Sequence, residues 1–133
     1  MKKISAAILI LILFMTGLGY AADKGKIAVA AEGKAISSGV SGVAARCPYF
    51  LIFDGDGVLL EAIDNPYKAA KGGAGRAVVP FLAQKHATFV VAGQFGRNMA
   101  RSMKAKGIEF LEFHGSAEAA VKKVLEGRQQ EPK

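Results

Sequence analysis

The sequence predicts an α/β domain built on a mixed sheet of about five strands, in the order β-β-β-α-β-α-β-α, with helices covering the sheet. Three observations lead to this prediction. The first is a hairpin signal, since two runs of β-forming residues, 49–53 and 58–64, flank Asp54-Gly55-Asp56-Gly57, and Asp-Gly between apolar runs is typical of a tight turn. The second is a short apolar run over 27–31. The third is an alternation of helical and strand patterns after the glycine-rich loop.

The alternating part carries the periodicities of three helices and two strands. Helices are predicted over 77–85, over 96–106 and from Ser116 to about 127, and strands over 88–92 and 108–113. Pro80 is compatible with the first helix only near its start, because the first amides of a helix have no internal partner. Gly107 stands where a glycine ends a helix, and Ser116 stands where a serine caps one. Inward-facing positions are predicted at Phe95, Met99, Met103, Ala117, Ala120, Val121, Val124 and Leu125.

The first 21 residues have the pattern of an export signal. Lys2 and Lys3 precede an unbroken apolar run over 6–15, and small residues that end at Ala21 follow with the spacing that signal peptidase requires. The run is shorter than the roughly 20 residues of a membrane-spanning helix. We expect cleavage near Ala21 and a periplasmic or secreted protein; an uncleaved N-terminal anchor is the alternative. The remaining chain is predicted to form one domain over 22–127, followed by a frayed polar tail over 128–133.

Charge and cysteine content restrict the class of partner. Without Lys2 and Lys3, the formal charge falls from +7 to about +5, which suits an anionic ligand. The chain lacks the dense basic tract or exposed aromatic platform of a nucleic-acid binder. Cys47 is the one cysteine, so it cannot form an internal disulfide and is either free, paired between molecules or bound to a ligand.

Several short motifs together resemble a known family. They are the EGK turn after the first strand (27–34), ARCPYFLIFD (45–54), NPY (65–67), GGAG (72–75), VVAGQFG (90–96) and KAKGIEF (104–110). Over roughly residues 26–125, their order and spacing resemble the dinitrogenase iron–molybdenum cofactor biosynthesis family, the small carriers and binding domains of the NifX and NafY type. The resemblance implies a ribonuclease-H-like α/β fold. It also implies binding of an anionic cluster, the iron–molybdenum cofactor or an iron–sulfur cluster, without catalysis.

The chain departs from this family at one segment. In many relatives the residues aligned with 41–46 contain His-Phe-Gly, and that histidine is tied to cofactor binding. Here Val43, Ala44 and Ala45 occupy the three positions. The resemblance therefore leaves Cys47 as the nearest replacement for a cluster ligand.

Ligands of such sheets gather at the carboxyl ends of strands, where loops meet helix N-termini. The loops concerned are 32–45, 71–76, 93–97 and 114–116. Candidate cofactor-binding residues are Arg46, Cys47, Gly72, Gly73, Gly75, Gly96, Arg97 and His114, of which Cys47 and His114 are the candidate metal ligands.

Each candidate has a physical reason and a simpler alternative. A cation in the first turn of a helix, such as Arg97, is unfavourable unless an anion binds there; the alternative is an exposed and screened side chain. Lys68, Lys71 and Arg76 flank the GGAG loop and would favour an anion, or they are simply solvated. A Cys47 thiolate near Arg46 would have a lowered pKa and be a soft ligand; the alternative is a small buried hydrophobic residue.

One further pattern is basic. Arg97, Arg101 and Lys104 form a stripe at helical spacing, and a solvated helix face is the favoured interpretation of such a stripe.

The sequence supports catalysis only weakly, because a hydrolase would require an acidic cluster. The strand over 27–31 carries no carboxylate for a two-metal nuclease site, and Asp54 and Asp56 are expected in a turn for backbone reasons.

The first hypothesis is an exported, non-catalytic binding or carrier domain for an anionic metal cluster. It would be a monomer or weak homodimer and would exchange its cargo with a donor or acceptor metalloprotein. It would bind no nucleic acid, and no membrane after signal cleavage. The alternative is an exported interaction or regulatory module that keeps the fold without binding a cluster.

Overall fold

The computed structural model describes residues 25–130 and folds them around a five-stranded mixed sheet. The strands are β1 (Lys26–Ala31), β2 (Tyr49–Phe53), β3 (Leu59–Asp64), β4 (Ala87–Ala92) and β5 (Glu109–Glu112). They lie in the spatial order β3-β2-β1-β4-β5. The β1–β2 and β2–β3 pairs are antiparallel, and the β1–β4 and β4–β5 pairs are parallel. Helices α1 (Ala74–Gln84), α2 (Arg97–Ala105) and α3 (Ala117–Gln130) complete the domain, which confirms the predicted class and element order.

Strand β1 is the centre of the sheet because its sequence is apolar on both faces. Every residue from Ile27 to Ala31 is fully buried, as expected of a strand covered on both sides. Ala28 and Ala30 face the layer formed by α1 and α2, whereas Ile27 and Val29 face α3. The helices add the apolar residues predicted for their inner faces, notably Met99 and Met103 of α2, and Ala117, Ala120, Val121 and Val124 of α3.

The hairpin forms as predicted, with its turn held by a carboxylate. Oδ1 of Asp54 accepts hydrogen bonds from the amides of Asp56 (2.9 Å) and Val58 (3.0 Å). Gly57 has a φ of +92°, the left-handed backbone conformation that favours glycine. The turn aligns β2 with β3 and places the carboxyl end of β3 beside the start of β2, where Asp64 pairs with Tyr49.

The predicted start of the first helix is wrong. Helix α1 begins at Ala74, so Pro80 lies inside it rather than in its first turn. A proline there has no amide to donate to the carbonyl of Arg76, four residues earlier. Both residues lie on the exposed side of the helix, where water can donate to that carbonyl instead.

The other helix ends follow the predicted capping residues. Gly107 has a φ of +71° after α2, and the amide of Ile108 donates to the carbonyl of Met103 at 2.9 Å. Oγ of Ser116 accepts from the amide of Ala119 at 3.1 Å at the start of α3.

The end of the described chain differs from the prediction. Helix α3 continues to Gln130, so residues 128–130 of the predicted tail are helical. The guanidinium of Arg128 lies 6.0 Å from the centroid of the Phe89 ring, a cation–π contact that ties the last turn to the sheet.

The predicted export signal, residues 1–21, lies outside the described residues. Between residues 25 and 130, no helix combines the length and apolar character needed to cross a membrane.

Candidate functional site

Three segments meet in a cleft of about 370 Å³ at one end of the sheet. Its walls come from Val43, Ala45 and Arg46 before β2, from residues 73–76 at the start of α1, and from residues 96–99 at the start of α2. The carboxyl ends of β1, β3 and β4 lead to this end of the sheet. The cleft therefore lies where the strand order predicts a ligand to bind.

Two helix N-termini without side-chain caps point their amides into this region. Gly73 precedes α1 and Gly96 precedes α2, and neither helix has a capping side chain or an acidic residue in its first turn. The amides of residues 74–76 and 97–99 donate to no other described residue. Such groups carry partial positive charge and are satisfied by water or by an anion.

Helix α3 shows the contrasting arrangement. The amides of Ala117 and Glu118 donate to the carbonyls of Ser38 (2.8 Å) and Ile36 (2.9 Å), and that of Ala119 donates to Ser116 Oγ. Glu118 adds an acidic residue to the first turn. The first amides of α3 are thus satisfied by the protein itself, whereas those of α1 and α2 are not. The carboxylate of Glu112 accepts from the amide of Phe95 at 3.3 Å, before α2 begins.

Gly75 allows the two uncapped helix starts to approach each other. A Cβ atom at this position would lie 3.3 Å from both Cβ and the backbone nitrogen of Met99, which is closer than ordinary carbon contacts. A side chain here would separate α1 from α2. The glycine of the GGAG motif thus brings two sets of free amides to one cleft.

Three arginines add full positive charges to these amides. Arg46, Arg76 and Arg97 are exposed and line the cleft, and no carboxylate lies among the described residues that line it. Nη1 of Arg46 donates to the carbonyl of Ala70, so this side chain also fastens the segment before β2 to the loop before α1. The cleft is therefore chemically suited to an anion, through charge from guanidinium groups and direction from backbone N–H groups.

Asn65 holds the same two segments together and was missed as a functional residue. Its side chain is 1% exposed; Nδ2 donates to the carbonyls of Ala45 (2.9 Å) and Cys47 (3.0 Å), and Oδ1 accepts from the amide of Tyr67 (2.9 Å). In the sequence, Asn65 is distinguished only as the first residue of the NPY motif (65–67). A polar residue between an apolar strand and a proline is the one sequence signal that could have indicated this role.

Cys47 lies in the core and not in the cleft. Its side chain is 1% exposed, and its thiol donates to the carbonyl of Tyr49 at 3.2 Å. Burial raises the pKa of this thiol to about 12, so the predicted lowering of the pKa by Arg46 is wrong. Removal from water dominates, and Arg46 is engaged with Ala70 instead. The thiol stays protonated at neutral pH.

The second candidate metal ligand, His114, also lies outside the cleft. It is exposed after β5, close to Gly93, where a Cβ atom would lie 3.4 Å from His114 Cε1. Across residues 25–130, no group of three or more His, Cys, Asp or Glu side chains could hold a metal ion. The cleft thus unites Arg46, Gly73, Gly75, Gly96 and Arg97, while Gly72 is adjacent to it and Cys47 and His114 are elsewhere.

A larger cavity, of about 550 Å³, is less suited to an anion. It lies at the amino ends of β4 and β5, where Asp56 and Glu109 accompany Arg128. The two carboxylates oppose the binding of negative charge, so the smaller cleft is the better candidate for an anionic ligand.

Known proteins share this fold. The apo form of the orange protein from Desulfovibrio gigas superposes with a TM-score of 0.73 at 25% sequence identity, over 80% of this chain and 92% of that one. A Thermotoga protein described as NifB superposes with a TM-score of 0.66 at 33% identity, over 78% and 90% of the two chains. A Methanocaldococcus jannaschii protein described as a dinitrogenase has a TM-score of 0.54 at 15% identity, with 78% and 90% coverage, and supports the fold alone.

No curated protein matches the chain. The family model described as dinitrogenase iron-molybdenum cofactor, however, matches residues 25–127, nearly all of the described domain. The chain therefore belongs to the dinitrogenase iron-molybdenum cofactor family.

Proposed function

We propose that this protein is a non-catalytic carrier that binds an anionic metal cluster of the iron–molybdenum type in the cleft, and that it acts outside the cytoplasm. The observation that carries the proposal is the convergence of two uncapped helix N-termini and three arginines on one cleft whose described lining contains no carboxylate. Membership of the family supports a metal cluster as the anion.

The positive charges around the cleft favour an anion. Arg97 occupies the first position of α2, where a cation faces the positive end of the helix at a cost of about 0.3–1 kcal/mol. Arg46 and Arg76 add further positive charge to the same space. A bound anion converts these repulsions into attractions and accepts hydrogen bonds from the free amides.

The donor set fits a preformed anionic cluster better than a cysteine-ligated iron–sulfur cluster. Iron–sulfur clusters are held by several cysteine thiolates. This sequence has one cysteine, and the thiol of Cys47 is buried and protonated at neutral pH. The cargo we propose therefore carries its own sulfide, oxide or organic ligands and is held by charge and amides.

Val43 also supports binding of the cargo without a protein ligand to its metal. It occupies the position of the histidine that the family resemblance ties to cofactor binding, and it lines the cleft with 54% of its surface exposed. An imidazole at this position would face the cargo, whereas an isopropyl group offers no ligand. We therefore propose that the cargo is bound without a metal–protein bond. This makes its release to a partner protein easier than release from a site in which the protein ligates the metal.

Export is the second half of the proposal. Its support is the basic start, the apolar run over 6–15 and the small residues that end at Ala21. Mass spectrometry of the protein purified from cells that express the full chain tests this directly. A first residue near Ala22 in a periplasmic extract supports export, and an intact Met1 in the cytoplasm contradicts it.

The binding test is anaerobic reconstitution with isolated iron–molybdenum cofactor, followed by iron, molybdenum and sulfide analysis of the desalted protein. Arg76→Gln/Arg97→Gln should reduce loading strongly, whereas the charge-matched Lys122→Gln/Lys123→Gln on α3 should not. Cys47→Ala should load like the wild type. Loading that is lost in Cys47→Ala but kept in the arginine variant would overturn the anion cleft in favour of thiolate ligation.

A second candidate function is an interaction module that keeps the fold without cargo. The observation in its favour is again Val43, which puts an exposed apolar side chain where the family has a ligand. Absence of loading in the wild type and in every variant would support this function over the carrier.

A further inference from the structure

The outer face of α2 carries positive charges that the cleft does not use. Arg101 and Lys104 lie on α2 and Lys106 follows it directly; all three are exposed and none of them lines the cleft. We call these three residues the α2 basic face. None of them forms a salt bridge with another residue of the described range 25–130. Helix α2 also contains no acidic residue.

Helix α3 shows how this chain builds a face that is simply solvated. Its exposed residues Glu118, Lys122 and Glu126 alternate in charge at intervals of four, a spacing at which opposite charges attract. Helix α2 has the opposite pattern, because Arg101 has a like charge four residues before it, Arg97, and another three residues after it, Lys104. The α2 basic face is therefore electrostatically unfavourable in the isolated protein.

We infer that the α2 basic face docks an acidic patch of a partner protein at the mouth of the cleft. The inference rests on the proposed carrier function, because a carrier must meet its donor or acceptor where the cargo enters and leaves. Arg101 lies one turn beyond Arg97, about 6 Å along the helix axis, so the docking face begins at the rim of the cleft. A partner's carboxylates there would offset the repulsion along α2 and would steer the encounter.

The surroundings of α2 fit a protein better than a nucleic acid or a membrane. Phe95, the aromatic residue nearest to α2 in sequence, packs on Phe110 with ring centroids 5.0 Å apart and offers no platform for stacked bases. Val43, which lines the cleft, is one exposed aliphatic side chain and is too small on its own to anchor the domain in a bilayer. An isolated apolar contact beside charged residues is ordinary at a protein interface.

The test uses fluorescently labelled poly-L-glutamate as a probe of acidic protein surface, in low salt, with protein purified from cells that express the full chain. Arg101→Gln/Lys104→Gln should bind the polymer about fivefold or more weakly than the wild type. Lys122→Gln/Lys123→Gln removes the same charge from the other side of the sheet and should change the affinity by less than about twofold. Cluster loading should be unchanged in both variants, because none of the four residues lines the cleft.

Thermal unfolding separates docking from a structural role. Removing Arg101 relieves a like-charge pair, so Arg101→Gln/Lys104→Gln should raise the midpoint by about 1–3 °C while it weakens binding. Equal loss of polymer affinity in the two variants would overturn the docking face. The docking face would also be overturned if Arg101 and Lys104 were needed only for binding to a single-stranded DNA oligonucleotide or to phosphatidylglycerol vesicles, and not for binding to the polymer. If the wild type took up no cluster, that result would instead refute the carrier function.

Discussion

Substitution of Gly75 by alanine tests whether the cleft binds through the amides of two helix starts. The added methyl group would lie 3.3 Å from Cβ and from the backbone nitrogen of Met99, inside normal contact distance. Helices α1 and α2 must then move apart by a few tenths of an ångström, or the methyl group must cover the Met99 amide. The first outcome misaligns the amides of the two helices, and the second removes one donor from the cleft.

The expected effects on binding and on stability differ in size. A hydrogen bond to a charged group contributes about 1.5–3 kcal/mol, so loss of one amide should weaken anion binding by roughly tenfold to a hundredfold. Alanine is favoured over glycine in a helix by about 0.5–1 kcal/mol, which offsets part of the cost of about 1–3 kcal/mol for an overpacked contact. The free energy of unfolding should therefore fall by no more than about 2 kcal/mol, and the domain stays folded.

The matched control is Gly72→Ala in the same loop, where an added Cβ atom meets nothing within 4 Å. Both variants and the wild type would be titrated anaerobically with iron–molybdenum cofactor, and their stabilities would be measured by urea unfolding. Gly72→Ala should bind like the wild type. If Gly75→Ala also bound like the wild type while both remained folded, the amides of α1 and α2 would not be ligands and the reasoning would fail.

Three further predictions concern the framework of the site. Asn65→Ala leaves buried carbonyl and amide groups without partners and should lower the free energy of unfolding, measured in urea, by about 2–4 kcal/mol. The exposed control Gln84→Ala should lower it by less than about 1 kcal/mol. A loss as small as this in Asn65→Ala would mean that the Asn65 hydrogen bonds do not hold the cleft wall. Because the pKa of Cys47 rises from 9.0 to about 12 on folding, the unfolded thiol loses its proton first. Stability should therefore fall by up to about 1.4 kcal/mol per pH unit above pH 9 relative to Cys47→Ala, and parallel urea-unfolding curves for the two proteins from pH 8 to 10.5 would contradict the burial of this thiol. Ser116→Ala removes the cap of α3 and should lower stability by about 1 kcal/mol in thermal unfolding, whereas an unchanged midpoint would show that the hydrogen bond to Ala119 contributes nothing.

Features fixed by local chemistry could be predicted from the sequence. Four such features depend on only a few neighbouring residues, and the structure contains all of them: the Asp-Gly turn, the fully apolar β1, the Met99 and Met103 stripe, and the caps at Gly107 and Ser116. The start of α1 could not be predicted in the same way. Its first turn is set by the left-handed Gly73 and by packing of Gly75 on Met99, and these contacts outweigh the usual position of a proline.

The candidate site divides along the same line. Arg97 could be identified because the conflict between a cation and a helix N-terminus is visible within a few residues of sequence. The role of Asn65 and the burial of Cys47 depend on how residues 45–47 pack against the loop after β3, which no local pattern specifies. Interpreting Cys47 as a thiolate ligand of lowered pKa failed because proximity to Arg46 in sequence did not become proximity of charge in the fold.

The three helix starts of this domain make the strongest physical case for an anionic ligand. The chain is able to satisfy a helix N-terminus, since α3 has its first three amides bonded and a glutamate in its first turn. At α1 and α2 it instead places glycines before the helices, has no acidic residue in either first turn and adds Arg76 and Arg97 to the positive ends. Solvated surface alone gives no reason for both exceptions to face one cleft, because each could be relieved by a single Ser or Asp at the cap. A negatively charged ligand gives that reason, since it needs the amides free and the cations close.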